Sequence, residues 1–496
     1  MSAERTDAAI ESSTSRQLSG SALVCVIACC GVFVWINYTR LYHSDLWGHL
    51  SYGRWMWNHG RLPEFEPLMP LSRDVPMLAT AWLSQLCGFL VMDTVGPHGL
   101  QLLHGITIAV VFALVCRAVY GRSQNAIASL IAGACMLLIA RGQVLIIRPQ
   151  LVGMCCFSAL VALLQSDARS WRRTLAVAAL FVFWANAHPS FPAGLILLAT
   201  YALIQIVTVV RRGSLASLVV NSELRWLVPT GVVAGLAVLA NPYGFDLYEE
   251  VFRVSANPNL RVLRDWQPVN FRSQRGMLFV GSLVVFLVTT GLAKRREAML
   301  SSATVLAAVG TVFSSRMLSW YAVLAGVAIG THLATRLSTR ASVAKWRTWP
   351  VAVIAVLIAL AASPLWRVAS GQELPLVAIA SRSTPCEATE FLREEYDGNG
   401  LIFAPNTWGD FLTWRSNGAL PVLVNSHAHL IQAETWHRYR RVSIGQPDCL
   451  AALLEAEVCW VLVNSGRRRL LAQLEASSEW EPVFENDRSA IFRRQP

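Results

Sequence analysis

Residues 21–50 read SALVCVIACCGVFVWINYTRLYHSDLWGHL, an apolar run followed at once by a polar stretch that contains Asp45 and His49. The apolar run covers 18–36, and a helix needs about 20 apolar residues to cross the hydrocarbon core of a bilayer. It follows a polar tail, residues 1–17, and no convincing small-residue cleavage site comes after it. The stretch therefore predicts a retained membrane anchor rather than a cleaved signal peptide.

Apolar runs of similar length recur through most of the chain. Hydrophobic residues make up 54% of the 496 residues and charged residues only 15%, whereas soluble domains carry about 25% charged residues. This composition excludes a disordered chain, a coiled coil and a conventional soluble enzyme. It predicts a mainly α-helical, multi-spanning membrane domain over 18–363, with about 11–13 segments. The further runs lie at 99–118, 124–141, 150–165, 173–187, 190–210, 225–241, 277–293, 299–313, 317–335 and 348–363.

A shorter run at 80–95 contains Gln85 and Asp93, and we expect it to lie in the membrane interface or to re-enter the membrane. If this run crosses the membrane, the chain must contain one further crossing, because the basic loops must all stay on the cytoplasmic side. Clusters of Lys and Arg mark the cytoplasmic loops. They lie at Arg169–Arg173, Arg211–Arg212, Lys294–Arg296 and Arg336–Arg347.

This charge pattern places the N-terminus in the cytoplasm and the two long loops, 37–98 and 242–276, outside together with the end of the chain. The formal net charge is +11. Basic loops beside an anionic bilayer explain that charge, so no nucleic-acid partner is expected.

The end of the chain predicts a small C-terminal α/β domain, residues 381–496, joined to the membrane domain by a linker, residues 364–380. Short apolar runs indicate strands at 401–404, 421–424 and 458–463. Asn486 and Asp487 predict a hairpin between 483–485 and 490–493. Helices are expected at 385–396, 431–441, 448–456 and 466–477.

The first outer loop carries the main catalytic candidates. Asp45 and His49 are spaced so that they share one face of a helix. A carboxylate held at the membrane surface beside an imidazole suits a general base or a metal ligand that acts on a membrane-delivered substrate. The alternative is an interfacial aromatic belt with a helix-capping Asp, and the residues alone favour neither interpretation.

Basic residues also occur at the predicted outer ends of the apolar runs, where the positive-inside bias disfavours them. Several of them together could bind a phosphate or pyrophosphate, since Arg offers bidentate donors. Each Arg taken singly could instead extend to the lipid headgroups. The candidates are Arg148, His188, Arg264 and Arg316. The sequence contains no P-loop, GxGxxG, GxSxG or DxD motif, which argues against an ATP-driven pump, a dinucleotide enzyme, an α/β-hydrolase and a soluble nucleotide-sugar transferase.

Together these motifs resemble the GT-C superfamily of integral-membrane glycosyltransferases, which includes protein O-mannosyltransferases, aminoarabinose lipid A transferases and oligosaccharyltransferase catalytic subunits. The resemblance covers most of the chain. The order of the motifs carries it: Asp45-Leu46-Trp47-Gly48-His49, Arg148 to Leu151, Trp184 to His188, and Asn241 to Gly244. Two positions depart from the usual pattern. The second acidic residue of the loop is Glu66 or Glu64 rather than Asp, and the tail has Asn425-Ser426-His427 where Asp-Gly-Arg is common.

The resemblance implies sugar transfer on the outer face of the bacterial inner membrane, from a polyprenyl-phosphate or polyprenyl-diphosphate donor to an envelope lipid, glycan or protein. Asp45 would act as general base or hold a divalent cation such as Mg or Mn, with Glu66 assisting. His49 and Arg54 would position the acceptor or the donor phosphate. The leaving phosphate would be stabilised by the cationic group, Arg148, His188, Arg264 and Arg316.

Two other functions fit the sequence. A transporter or lipid flippase would show charges along a path near the bilayer midplane and, often, repeated halves. A non-catalytic assembly protein would use the C-terminal domain to bind a partner through aromatic anchors, although such residues more often form the core of a small domain. The aromatic candidates are Trp408, Trp414, Trp436 and Trp460.

Overall fold

The computed structural model describes residues 20–41, 45–166, 169–213, 216–337, 348–372 and 374–495. The predicted N-terminal tail, residues 1–17, and most of the basic loop 336–347 lie outside the described residues. Within these ranges every apolar run that the sequence indicates forms a helix. The helices up to the linker are α1 (Gly20–Asn37), α2 (Leu46–His59), α3 (Trp82–Ser123), α4 (Ala126–Ile139), α5 (Arg141–Val144), α6 (Gln150–Leu164), α7 (Trp171–Ala187), α8 (Phe191–Arg212), α9 (Ser217–Val220), α10 (Ser222–Ala237), α11 (Asp246–Ala256), α12 (Pro258–Arg261), α13 (Gln274–Leu292), α14 (Ala298–Phe313), α15 (Leu318–Ala334) and α16 (Thr348–Ala361).

The chain is an integral membrane protein with a helical bundle. Among the described residues, five segments are long and apolar enough to cross a bilayer: Gly20–Asn37, Trp82–Ser123, Phe191–Arg212, Gln274–Leu292 and Ser315–Ala334. Large apolar side chains such as Leu203, Leu287 and Ile358 are exposed along the helices, as expected where lipid covers them. The number of crossings stays a prediction.

Helix α15 lies at the centre of the bundle and is almost wholly buried. Its glycines allow close approach to α4, because a Cβ added at Gly326 would lie 2.6 Å from the carbonyl oxygen of Ala132, and one at Gly330 would lie 2.7 Å from the Cβ of Ala132. Small residues at such crossings let membrane helices pack backbone against backbone. Helices α1, α2 and α6 pack against α3, and α13 and α14 pack against α15.

The short run at 80–95 forms the first limb of α3. The helix bends at Gly96, which has φ 74° and ψ −168°, a conformation that glycine tolerates. Pro97 follows and cannot donate a backbone hydrogen bond within the helix. The first limb packs against α2, and Gly53 makes this contact possible, since a Cβ there would lie 2.2 Å from the carbonyl oxygen of Gln85.

The long loops and the C-terminal domain meet on one face of the bundle, as the charge pattern predicts. Helix α2 packs against the C-terminal helix Asn406–Arg415. The side-chain amide of Asn259, in the second long loop, donates to the carbonyl oxygens of Ala428 and Ile431 at 2.9 and 2.8 Å. Arg122 and Glu297 form an ion pair of 3.1 Å between the end of α3 and the start of α14. The placement of the basic loops in the cytoplasm stays a prediction.

The C-terminal domain contains a four-stranded sheet formed by β1 (Leu401–Phe403), β2 (Val458–Asn464), β3 (Trp480–Glu485) and β4 (Ser489–Arg494). Its order is β1-β2-β4-β3, with β1 and β2 parallel and the other pairs antiparallel. The predicted helices, the strands at 401–404 and 458–463 and the hairpin are confirmed within a few residues. The expected strand at 421–424 is wrong, because this segment makes only an isolated bridge between Ile402 and Val422. The elements from the linker onward are α17 (Leu365–Ser370), α18 (Leu376–Ile379), α19 (Cys386–Glu395), β1 (Leu401–Phe403), α20 (Asn406–Arg415), α21 (Ala433–Ser443), α22 (Cys449–Glu455), β2 (Val458–Asn464), α23 (Arg468–Glu475), β3 (Trp480–Glu485) and β4 (Ser489–Arg494).

Candidate active site

A cavity of about 920 Å³ lies where the two long loops, the ends of the membrane helices and the C-terminal domain meet. Helices α2, α3, α8, α11 and α15 contribute to its wall, together with the loops before α6 and after α12 and residues of the C-terminal domain. Most of the predicted site residues, far apart in sequence, line this one cavity: Asp45, His49, Arg148, His188, Arg264 and Arg316.

Asp45 immediately precedes α2, and its side chain makes no capping hydrogen bond to that helix. The helix-capping interpretation of Asp45 is therefore wrong. Its Oδ2 lies 3.8 Å from Nε2 of His49, one turn further along. The side-chain amide nitrogen of Gln85 lies 3.0 Å from Nδ1 of His49 and can only donate. This contact with Gln85 fixes the His49 ring one turn along α2 from Asp45.

Arg148 and the loop 264–266 form the opposite, cationic wall. Arg148 Nη1 lies 3.4 Å from one carboxylate oxygen of Asp265, and Arg275 Nη1 lies 3.0 Å from the other. Burial raises the pKa of Asp265, but the charges of Arg148 and Arg275 outweigh burial and lower it. Asp265 therefore stays ionised and shares its charge between two guanidinium groups.

Arg316 lies in a 3-10 turn, Ser315–Met317, that opens into α15. The turn is tied to the second long loop, because the backbone N–H of Ser315 donates to Gln267 and its hydroxyl donates to the Arg264 carbonyl at 3.2 Å. The guanidinium of Arg316 stacks 4.5 Å from the ring centroid of Trp266. No carboxylate of the described chain forms an ion pair with Arg264 or Arg316, so this wall carries net positive charge.

In the segment Trp184-Ala185-Asn186-Ala187-His188, most residues support the local structure and one, His188, lines the cavity. The Asn186 amide donates to Ala240 and its oxygen accepts from Trp82, which fixes the turn between α7 and α8. His188 Nδ1 lies 2.8 Å from the Ser190 hydroxyl. Burial, and then the charge of Arg316, hold the pKa of His188 well below its ordinary value. His188 is therefore neutral and offers a hydrogen bond rather than a charge.

The C-terminal domain supplies residues that the sequence alone did not identify. His427 lies with its ring centroid 4.9 Å from that of His49 and 4.6 Å from that of Tyr52. Its backbone N–H donates to Asn425 Oδ1 at 2.8 Å, which fixes the turn that carries it. Burial, and then the charge of His49, lower the pKa of His427 well below its ordinary value. Asn406, Thr407, Ser426 and His429 complete this side of the cavity.

Glu66 does not line the cavity. It is 1% exposed and lies behind Tyr52, whose hydroxyl donates to Glu66 Oε2 at 2.5 Å. The backbone N–H groups of Leu68 and Met69 donate to its other oxygen at 2.7 and 3.1 Å. Burial raises the pKa of Glu66 to about 7. These contacts give Glu66 a structural position in the first long loop.

Arg54 also lies away from the cavity. Its guanidinium carbon stacks 4.4 Å from the ring centroid of Trp414, and Nη2 lies 3.3 Å from the Thr413 carbonyl oxygen. It lines a second cleft of about 620 Å³ on the other side of α2.

The described residues form no ready-made cluster of protein ligands for a divalent cation, and the expected cation stays a prediction. In the part of the chain that the structure describes, no three His, Cys, Asp or Glu side chains converge as metal ligands. The two carboxylates expected to act together are separated, because Asp45 lines the cavity and Glu66 is buried behind Tyr52.

No protein-family model matches the chain, and no curated protein does. Solved structures do match. ArnT from Cupriavidus metallidurans bound to undecaprenyl phosphate has a TM-score of 0.55 and 13% sequence identity, with 95% of this chain and 98% of that chain covered. The oligosaccharyltransferase AglB from Archaeoglobus fulgidus, in complex with an inhibitory peptide and a dolichol-phosphate, has a TM-score of 0.58 and 11% identity, with 89% of this chain and 69% of that chain covered.

This chain has the GT-C fold. The arabinofuranosyltransferase AftD from Mycobacteria is also similar, with a TM-score of 0.52 and 14% identity over 97% of this chain and 42% of that chain. The match to ArnT extends over nearly the whole of both chains, so the GT-C fold includes the C-terminal domain as well as the helical bundle. The resemblance that the motifs indicate is confirmed at the level of the fold.

Proposed function

We propose that this protein is a membrane glycosyltransferase that moves a sugar from a polyprenyl-phosphate or polyprenyl-diphosphate donor to an acceptor hydroxyl or amide. One observation carries the proposal: Asp45 and His49 line the same cavity as a cationic wall formed by Arg148, Arg264 and Arg316. A base and a phosphate site in one cavity are the two parts that such a transfer requires. The solved structures with bound undecaprenyl phosphate and dolichol-phosphate support the donor class.

The cationic wall would bind the donor phosphate. Arg316 and Arg264 have no carboxylate partner among the residues described, and Arg148 has only a long contact to Asp265. A phosphate therefore gains guanidinium donors without first breaking a strong ion pair. The cavity continues along α8, where Ile196 is 53% exposed, and includes Met317 of the 3-10 turn and Trp320 of α15. These apolar residues suit the start of a polyprenyl chain beside its phosphate.

Asp45 would act as the general base. As the acceptor oxygen bonds to the anomeric carbon, the bond from that carbon to the phosphate oxygen breaks and its electron pair stays on the phosphate. The acceptor proton passes to Asp45. His49, fixed by Gln85, lies beside this carboxylate, with its Nε2 3.8 Å from Asp45 Oδ2. The arginines stabilise the negative charge that grows on the leaving phosphate.

The C-terminal domain would form the acceptor side of the cavity. His427 lies against His49, and Asn406, Thr407 and Ser426 present further hydrogen-bonding groups there. The acceptor would be an envelope lipid, glycan or protein. We place the cavity and this domain on the outer face of a bacterial inner membrane, with the N-terminus in the cytoplasm, because the Lys and Arg clusters occur in the opposite loops.

The competing functions receive less support from the structure. The aromatic residues considered as anchors for a partner are mostly core residues: Trp408, Trp436 and Trp460 are 4%, 5% and 1% exposed. Trp414 stacks on Trp47, with ring centroids 6.4 Å apart. The charged residues of the cavity gather at the ends of the membrane helices rather than along a path between the two faces.

A direct test uses purified protein in liposomes with radiolabelled undecaprenyl-phosphate sugars and an envelope extract as acceptor. Arg316→Gln should lower kcat/KM for the active donor by about 100-fold, the typical effect of losing one donor to a developing oxyanion. Arg275→Gln is the matched control, because Arg275 contacts Asp265 but does not line the cavity. Equal activity of the two variants would contradict the phosphate role. Absence of transfer with every donor, together with movement of intact donor across the bilayer, would favour a flippase.

A further inference from the structure

A second cleft, separate from the proposed active site, lies on the other side of α2. It has a volume of about 620 Å³, within the range of pockets that bind small ligands. Its wall combines the first limb of α3, the linker and the C-terminal domain. The residues that line it are Arg54, Met92, Pro375, Leu376, Val377, Cys386, Glu387, Glu390, Phe411, Trp414 and Arg415. Most of these side chains are apolar.

The cleft lies beside the end of the first membrane helix. The linker returns to the chain just after α1: the Leu41 N–H donates to the Ile379 carbonyl, and the Ser381 N–H donates to the Leu41 carbonyl, at 2.9 and 2.8 Å. Leu41 follows closely on Asn37, the last residue of α1. Leu376 and Val377, on the linker, are therefore held at the level of the membrane surface, where an amphiphile can reach the cleft from the bilayer.

Arg54 is the one cation of this cleft whose charge no described carboxylate neutralises. Arg415 Nε lies 2.5 Å from Glu390, so its charge is paired within the domain. Arg54 instead stacks on Trp414 and contacts only the Thr413 carbonyl. Burial lowers the pKa of Arg54 from its ordinary value, which is the direction expected for a guanidinium held away from both water and an anion.

The aromatic support holds Arg54 in place without neutralising it. Trp414 stacks on Trp47 and contacts Phe89, with centroid distances of 6.4 and 6.3 Å. A guanidinium fixed on an indole face keeps its edge donors available to an oxyanion. A fixed cation at one end of an apolar cleft matches a molecule with a phosphate at one end and a hydrocarbon chain at the other.

We infer that the cleft between α2, the linker and the C-terminal domain binds a phosphate-bearing membrane amphiphile, with Arg54 on the phosphate and Leu376, Val377 and Phe411 against the chain. The cleft binds the amphiphile without any reaction, and this binding does not depend on the proposed sugar transfer. Its phosphate comes either from a bulk phospholipid or from a polyprenyl carrier, because both present an anionic phosphate to Arg54.

Native mass spectrometry of the full-length protein, delipidated in detergent, tests this site. The probes are phosphatidylglycerol and undecaprenyl phosphate, each added alone, with diacylglycerol as a probe that lacks phosphate. Arg54→Gln should lower the retention of one bound phosphate amphiphile about tenfold, the loss expected for one charge-assisted contact. Arg415→Gln, the control in the same cleft, should retain it. If Arg54→Gln loses the phosphatidylglycerol adduct, the ligand of the cleft is a bulk phospholipid. If it loses the undecaprenyl phosphate adduct, the ligand is the polyprenyl carrier.

A second variant tests the site independently, in case Arg54→Gln does not fold. Val377 is 54% exposed on the linker, so Val377→Glu places a carboxylate in the cleft without disturbing a core, and it should also abolish the adduct. Asp45→Asn separates this site from the proposed function, because it should remove turnover and leave the adduct intact. Equal retention of both phosphate probes by wild type, Arg54→Gln and Val377→Glu would overturn the inference, as would equal retention of diacylglycerol.

Discussion

Glu66→Gln tests the interpretation that Glu66 supports the first long loop from behind the cavity. The folded protein raises the pKa of this buried carboxyl from 4.5 to about 7, chiefly through burial. At about 1.4 kcal/mol for each tenfold change in proton affinity, this corresponds to about 3 kcal/mol. Gln can keep the geometry, since its oxygen can accept from Leu68 and Met69 and its amide can donate to Tyr52.

The sign follows from proton linkage. Between about pH 4.5 and pH 7 the folded protein holds the Glu66 proton while the unfolded chain has released it. The contribution of Glu66 to the free energy of unfolding is therefore fully present at lower pH and is lost as the pH rises through about 7. Glu66→Gln has no such proton, so its stability relative to wild type should increase by about 3 kcal/mol from pH 4.5 to pH 7.5.

The assay is denaturant unfolding of the detergent-solubilised protein at a series of pH values, followed by tryptophan fluorescence. Glu64→Gln is the control, because Glu64 is exposed in the same loop and should show no such pH dependence. Donor turnover by Glu66→Gln should stay within a factor of a few of wild type, since Glu66 does not line the cavity. A stability difference that does not vary with pH, or a loss of turnover as severe as that of a cavity variant, would refute the reasoning.

Two further predictions concern the contact between the C-terminal domain and α2. His427→Ala should lower kcat/KM for the acceptor about tenfold or more and leave the affinity for the lipid-linked donor unchanged. The control is His437→Ala, which is exposed on the same domain and should match wild type in steady-state kinetics. Gly48→Ala should destabilise the protein by about 1–3 kcal/mol, because its Cβ would lie 2.5 Å from Asp410 Oδ1. Gly281→Ala, with open space around it, should change the midpoint of thermal unfolding little, and an equal effect of both substitutions would contradict this packing.

The helices were predictable because lipid imposes a length and a composition on them. Each apolar run forms a helix, whereas the orientation that the loop charges indicate stays a prediction. Length alone did not resolve the run at 80–95, which continues through the bend at Gly96 into the next helix. The error at 421–424 has a similar origin, because a short apolar run does not indicate whether a neighbouring strand pairs along its whole length.

The site was predictable where its residues lie close to the end or the start of an apolar run, as Asp45, Arg148 and His188 do. The arrangement of the membrane helices is then enough to bring these three residues together. The contribution of His427 depends on how the C-terminal domain docks onto α2, and no local pattern encodes that docking. The positions of Glu66 and Arg54 were missed for a related reason, because residues on one short helix and loop can face a cavity, a core or a second cleft.

Turnover by Asp45→Asn tests the central claim most directly. With a lipid-linked sugar that wild type uses, the variant should lose at least about 100-fold in kcat, since Asn cannot take the acceptor proton, and it should still bind the donor through the cationic wall. Asp74→Asn, an exposed residue of the same loop, is the control and should keep full activity. Unchanged kcat for Asp45→Asn would contradict the assignment of Asp45 as the base and, with it, the proposed mechanism.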